Sequence, residues 1–203
     1  MKRTKEEADQ TRQALLDAAL VIFSRKGFAA TGLEEIAERA KVTRGAIYHH
    51  FKNKLDLYLT LMQEASQRGG AAIQRAISEG GSFVEVCTHI LAYSLALLED
   101  DHQFREVMAL SLSSSEQTPE LSPIAKMRQQ QSTALIEGIA AYMQQGIGQG
   151  ELRPDVDALT AARAFLAYQN GLISLWLADR EAFSIKASAP KLASVFMEGL
   201  VKK

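Results

Sequence analysis

Between Lys41 and Lys54 the chain reads KVTRGAIYHHFKNK, which brings a threonine hydroxyl, an arginine, a Gly-Ala pair, a tyrosine, two adjacent histidines and three lysines into fourteen residues. Three kinds of chemistry draw on such groups: a metal site, an acid-base site, or a surface that holds an anionic polymer. Spacing argues against the metal. Helices that bind zinc present ligands at i and i+3 or i+4 on one face, whereas adjacent residues such as His49 and His50 stand about 100° apart around a helix. No Cys, Asp or Glu falls inside the stretch either. Acid-base catalysis needs a partner carboxylate, a nucleophile or an oxyanion motif, and the local sequence places none. Ordinary surface residues on a helix anchored by Ile47 and Phe51 form a further reading, which leaves the polar cluster unexplained.

The elements that must position these groups are helical. The four prolines are Pro119, Pro123, Pro154 and Pro190, so long helices in the first 118 residues meet no breaker. Ala, Leu, Glu, Gln and Lys dominate, and period-two strands are absent, which predicts an all-α protein of nine helices. The first spans about 5–26, with Leu15, Ala18, Ala19, Ile22 and Phe23 on one stripe. Gly27 ends it, since glycine enters the left-handed conformation at low cost. TGLE at 31–34 has capping-box spacing and opens a short second helix. KVT forms a turn, Thr43 caps a third helix over 44–50, and Asn53 with Asp56 starts a fourth towards 78. SFVE at 82–85 repeats the capping box and opens a fifth helix to about 98. The others are expected near 104–112, 124–146, 158–178 and 191–201, with a polar loop over 113–123.

At 203 residues and 47% hydrophobic, the chain can bury a core without staples. A single cysteine, Cys87, excludes an intrachain disulfide. No signal-peptide pattern appears and no apolar run reaches the roughly 20 residues of a membrane helix, so a cytoplasmic protein without membrane contact is expected. Net charge is divided along the chain: residues 1–55 hold 11 Lys and Arg against 7 Asp and Glu, while 56–203 hold 12 against 17. A positive first segment ahead of an acidic body favours a nucleic-acid partner for the former. His89 and His102 have no ligand spacing around them and read as structural; nothing in the chain supplies a catalytic set, a metal site or a cofactor motif.

Two short helices joined by a tight turn make a helix-turn-helix, whose second helix lies in the major groove of double-stranded DNA. A seven-residue helix is about 10 Å long and suits a groove about 12 Å wide. Thr43 and Arg44 stand at its start, where Arg can pair with guanine through two hydrogen bonds. Gly45 and Ala46 keep that edge thin. Tyr48, His49, His50 and Lys54 carry donors towards phosphates, and Thr31 at the start of the second helix suits another.

GFAATGLEEIAERAKVTRGAIYHHFKNKLDLYLTL, residues 27–61, resembles the DNA-binding signature of the TetR family of transcriptional regulators. The resemblance lies in the Gly-Phe after the first helix, the IA of the second, and the spacing of Tyr48, His50, Phe51 and Lys54. It implies a three-helix DNA-binding domain, here 1–53, and a helical effector-binding and dimerisation domain, here 54–203. It further implies a homodimer, a palindromic operator, and release from it by a hydrophobic small molecule. Thr43, Arg44, Gly45, Ala46 and His49 fall where the family reads bases, and Tyr48, His50 and Lys54 where it grips phosphate.

AYQNGLISLWLADREAFSIKASAPKLASVFMEGL, residues 167–200, is similar to the last two helices of the branch that represses multidrug efflux pumps. In the family these helices form a four-helix bundle with their twins, to which Leu172, Leu175, Trp176, Leu192, Phe196 and Leu200 could contribute; filling the chain's own core is the other reading of each. Aromatic, Met and polar residues within apolar helices offer an effector pocket. The candidates are Cys87, Phe104, Met108, Met127, Gln131, Phe165, Gln169 and Asn170, with Phe83, Tyr93 and Tyr168 beside them. A regulator of the same fold that takes no small molecule and acts through a protein partner is the alternative function.

Overall fold

The computed structural model describes residues 5–113 and 122–202, so the expected loop over 113–123 lies almost wholly outside the described residues. Among the described residues there are nine α-helices: α1 (Lys5–Lys26), α2 (Leu33–Arg39), α3 (Arg44–His50), α4 (Lys54–Glu79), α5 (Phe83–Asp100), α6 (His102–Ser113), α7 (Ser122–Gly148), α8 (Ala158–Ala178) and α9 (Ile185–Glu198). Two compact units divide the chain, Met1–Arg68 with Gln103–Glu120 and Gly69–His102 with Leu121–Lys203, the first division falling inside α4.

In the first unit the apolar stripe of α1 packs on α2 and α3. Phe23, Phe28 and Tyr58 form an aromatic triangle with ring centres 5.4 to 5.7 Å apart. Around them Leu15, Leu16, Ile36, Ile47, Leu57 and Leu61 are fully buried. The chain leaves α1 through Gly27 at φ 76°, whose N–H donates to the Phe23 carbonyl. This left-handed step brings Phe28 back onto the core.

The start of α2 differs from expectation. Gly32 is its N-cap and supplies no side-chain bond, while the Thr31 hydroxyl donates backwards to the Gly27 carbonyl at 2.6 Å. Thr31 is therefore buried and tightens the turn after α1 instead of capping α2. The spacing of TGLE fits a capping box, but Thr/Ser hydroxyls also bond carbonyls four residues back, and that local bond wins here.

The turn into α3 contains Lys41 at φ 56°. A side-chain-bearing residue in that conformation costs roughly 1–2 kcal/mol. Lys41→Gly is expected to stabilise the protein by up to about 1 kcal/mol, read as a higher urea midpoint at unchanged slope. Thr43 then caps α3 by accepting from the Ala46 N–H at 3.3 Å, as its spacing predicts. Asn53 accepts from the Asp56 N–H and Asp56 from the Lys52 N–H, both at 2.8 Å, so α4 opens where expected.

In the second unit α5 packs along α9 and α7 along α8. Ser82 and Glu85 form the expected capping box on α5. Glu151 adds a cap from a distant part of the chain, accepting from the N–H groups of Phe83 at 2.9 Å and Val84 at 3.3 Å. Gly146 on α7 admits the Phe83 ring, since a Cβ there would stand 2.5 Å from that ring. The expected start of the ninth helix is corrected: Ser184 caps it at Ala187, and α9 runs from Ile185 through Pro190. Proline lacks an N–H and usually stops a helix, but here it lies early in α9 and forfeits one bond to the turn below. The helix also ends sooner than expected, at Glu198, and Val201 instead pairs with Leu152 in an isolated antiparallel bridge.

Candidate nucleic-acid interface and ligand cavity

Within α3, Ala46 and Ile47 point into the core and anchor the helix. Arg44, Gly45, Tyr48 and His49 lie at i, i+1, i+4 and i+5, which is one helical face, and all four are exposed, as is Thr43. Gly45 keeps this face low, for a Cβ built there meets nothing nearer than the Thr43 hydroxyl at 3.9 Å. His50 is half-buried with its ring 6.3 Å from that of Phe51. The surface therefore gathers a guanidinium, a phenol and an imidazole on a helix capped by a hydroxyl.

Arg44 is tethered at this surface. Its Nη1 lies 2.5 Å from the Glu34 carboxylate on α2, and its Nη2 donates to the Tyr48 hydroxyl at 3.4 Å. The bond to Tyr48 and then the charge of Glu34 raise the guanidinium's already high pKa, so it stays cationic. Lys54 is placed differently from an open phosphate contact. Its ammonium turns inward and donates to the carbonyls of Phe28 at 2.9 Å, Ala29 at 3.3 Å and Thr31 at 3.1 Å, above the Phe28 ring.

The second unit holds a cavity of about 360 Å³ between α4, α5, α7 and α8. Its wall is apolar: Ile73 and Ile77 from α4, Ile90 from α5, Leu135 and Ile139 from α7, and Leu166 from α8. Three of the expected effector residues, Cys87, Phe165 and Gln169, line it. Phe104 and Met108 belong instead to the first unit, where Phe104 packs beside Leu61, Ala65 and Val107. Gln131 and Asn170 are exposed and stand outside the lining. The Met127 side chain lies outside the described residues. Phe83 and Tyr93 are not in the lining either: Phe83 packs against Tyr142 at a tilt with ring centres 4.7 Å apart, and Tyr93 donates to Glu79 and lies beside the His89 ring.

Polar handles in the cavity are few and neutral. Ser94 donates to the Ile90 carbonyl at 2.7 Å, leaving its oxygen as an acceptor. Burial above all pushes the Tyr142 phenol's pKa up, and burial with Glu151's charge pushes the Cys87 thiol up to about 12. Both stay protonated at neutral pH. Gly138 leaves an open stretch of wall, with nothing within 4 Å of an added Cβ. Sequence reasoning missed the isoleucines, Leu135 and Tyr142 because it sought aromatic, Met and polar groups. The signal available was aliphatic spacing on α4 and α7, which a plain core produces equally well.

On α8 and α9 the expected interface residues separate. Leu175 is 62% exposed. Trp176 is buried with its indole N–H on the Phe183 carbonyl at 3.1 Å. Phe196 packs on Phe165 and Tyr168, at ring-centre distances of 5.5 and 5.3 Å. Leu172, Leu192 and Leu200 are half-buried. Val195, which the sequence reading passed over, is 61% exposed, one turn from Leu192. Among the described residues no helix is long and apolar enough to cross a membrane.

A helix-turn-helix with an exposed polar face, in a chain whose other unit encloses an apolar cavity, defines the class of ligand-responsive DNA-binding regulators. Comparison with known proteins agrees. Residues 15–61 match the family of bacterial regulatory proteins called tetR, and residues 83–201 match the C-terminal region of MAATS-type transcriptional repressors. The chain is 34% identical to the HTH-type transcriptional regulator TtgR of Pseudomonas putida over 178 residues, covering 87% of this chain and 85% of that one. Among solved structures it is similar to NalD, the secondary repressor of the MexAB-OprM multidrug efflux pump in Pseudomonas aeruginosa, with a TM-score of 0.82 and 28% identity over 98% of this chain and all of NalD. It is also similar to SmeT of Stenotrophomonas maltophilia in complex with triclosan, with a TM-score of 0.79 and 25% identity over 95% of this chain and 92% of SmeT. The chain belongs to the TetR family of transcriptional regulators.

Proposed function

We propose that the protein is a transcriptional repressor that holds a palindromic operator as a homodimer and leaves it when a neutral, apolar small molecule enters the second unit's cavity. The cavity carries this reading: it is of ligand size, and none of its described lining side chains is charged at neutral pH. Burying an unpaired charge there would be costly, so uncharged compounds are favoured over cationic or anionic ones of equal size. NalD and SmeT repress multidrug efflux pumps, which supports control of an efflux pump by this chain also. The protein works in the cytoplasm and catalyses no reaction.

Residues 1–53 form the reading head in this account and 54–203 the effector-binding and dimerisation body. The exposed Leu175 and Val195 supply an apolar face on α8 and α9 for the second copy. A two-fold dimer sets its reading helices on half-sites about 34 Å apart or at a longer fixed span. The link is α4, one helix that contributes Leu57, Tyr58 and Leu61 to the first unit's core and Ile73 and Ile77 to the cavity wall. Ligand that displaces Ile73 and Ile77 favours a state in which the two α3 helices no longer match the half-site spacing.

The DNA-binding half of the proposal is tested at Arg44. Arg44→Ala is expected to cost about 1–3 kcal/mol of discrimination between operator and scrambled duplex, measured by fluorescence anisotropy. An unchanged ratio would remove α3 as the reading helix.

A further inference from the structure

Glu34, which tethers Arg44 at the surface of α3, is the charged partner of the residue assigned to base recognition. It stands in the first turn of α2, with Oε1 2.5 Å from Arg44 Nη1, while Arg44 Nη2 bonds Tyr48 at the other side of the fork. The two side chains of the ion pair are 60% and 63% exposed. Such a pair contributes little to stability, so its effect must be sought in what Arg44 meets at that surface.

A guanidinium at a DNA surface has two kinds of acceptor: the charged phosphate oxygens, present at every step, and the neutral O6 and N7 of guanine, present only where sequence provides them. A carboxylate held against that guanidinium acts on them unequally. A phosphate brought to Arg44 also comes close to Glu34 and is repelled, whereas the neutral edge of a base is not. The planar fork, with five N–H donors, has enough to keep the carboxylate and Tyr48 while offering others to a base. Discrimination built by penalising the wrong partner is a general route to specificity.

We propose that Glu34 is a specificity-determining residue, which holds Arg44 away from general phosphate contact and reserves it for a neutral base edge such as that of guanine. This rests on the reading of α3 as the DNA-reading helix.

The test uses Glu34→Gln, which keeps the length and an acceptor oxygen and removes the charge. Binding is measured by anisotropy to the duplex that the wild-type protein selects from a random pool and to a scrambled duplex. The scrambled duplex should bind about fivefold more tightly and the selected one by clearly less, so that their ratio falls. In an Arg44→Ala background, Glu34→Gln should leave the ratio unchanged, because the penalised donor is gone. Equal tightening on both duplexes, or the same fall in ratio without Arg44, would overturn the proposal and leave Glu34 as a plain surface charge. A wild-type protein that selects no duplex would overturn the reading of α3 and this inference with it. A selective wild type whose ratio Glu34→Gln does not alter would overturn this inference alone.

Discussion

Gly138→Phe should leave operator binding intact and abolish release by ligand. Gly138 lines the cavity from the interior of α7, and a Cβ added there meets nothing within 4 Å. Replacing a glycine inside a helix removes a penalty of about 0.8–1 kcal/mol relative to alanine, so the backbone tolerates the change. The aromatic ring then occupies part of the cavity of about 360 Å³ that a ligand would fill. Ligand affinity by calorimetry should fall at least about tenfold, since the lost apolar contacts are worth 1.4 kcal/mol or more. Anisotropy should show the variant bound to operator at ligand concentrations that release the wild type. Unchanged ligand affinity would place the effector elsewhere.

Lys54→Met should act through the fold before it acts through DNA. The ammonium donates to the carbonyls of Phe28, Ala29 and Thr31, which belong to the connection between α1 and α2, and it lies 4.4 Å from the Phe28 ring centre. Charged hydrogen bonds of this kind contribute about 1.5–3 kcal/mol, and three carbonyls lose this charged donor together. Methionine keeps the apolar stem, so the expected loss of about 2 kcal/mol isolates the ammonium. Chemical denaturation should show that loss, and operator binding should weaken as α2 and α3 lose their seating. A side chain used only for phosphate gives the opposite pattern: unchanged stability and a salt slope reduced by about one.

These two sites mark what the sequence could and could not reveal. The helix-turn-helix was legible because its signals are local: Gly27 after α1, the Thr43 cap, and the apolar anchor Ile47 on α3; Ala46, expected on the reading edge, is instead buried beside Ile47, since it lies on the same inward face of so short a helix. Lys54 reads from sequence as a phosphate contact, but its carbonyl partners lie 23 to 26 residues away, and only the fold brings them to it. Thr31 failed as a cap because two bonds of similar strength were open to one hydroxyl. Pro190 stands ahead of the ninth helix's expected start at 191, although α9 carries it as its sixth residue, supported by the Ser184 cap and the burial of Ile185 and Ala189. The cavity was the least legible feature. Two separate stretches of the chain, α4–α5 and α7–α8, line it, and aliphatic side chains that line a space have the same spacing as those that fill one. Cys87, Phe165 and Gln169 fell in the wall, while Phe104 and Met108 fell in another unit because helix order along the chain does not fix which faces meet.

The proposed function joins a DNA-reading helix to a ligand cavity in one molecule, and a single titration tests that union. A fluorescent duplex from upstream of the protein's own gene, and a scrambled control, would be bound at about 0.05 to 0.2 M salt and then titrated with a neutral apolar compound whose binding calorimetry has established. The expected result is preference for the native duplex, a steep loss of affinity with salt, and release from that duplex as the compound saturates the protein. Operator affinity that stays constant under saturating compound would contradict the account, because the cavity would then be filled without any effect on the helix that reads DNA.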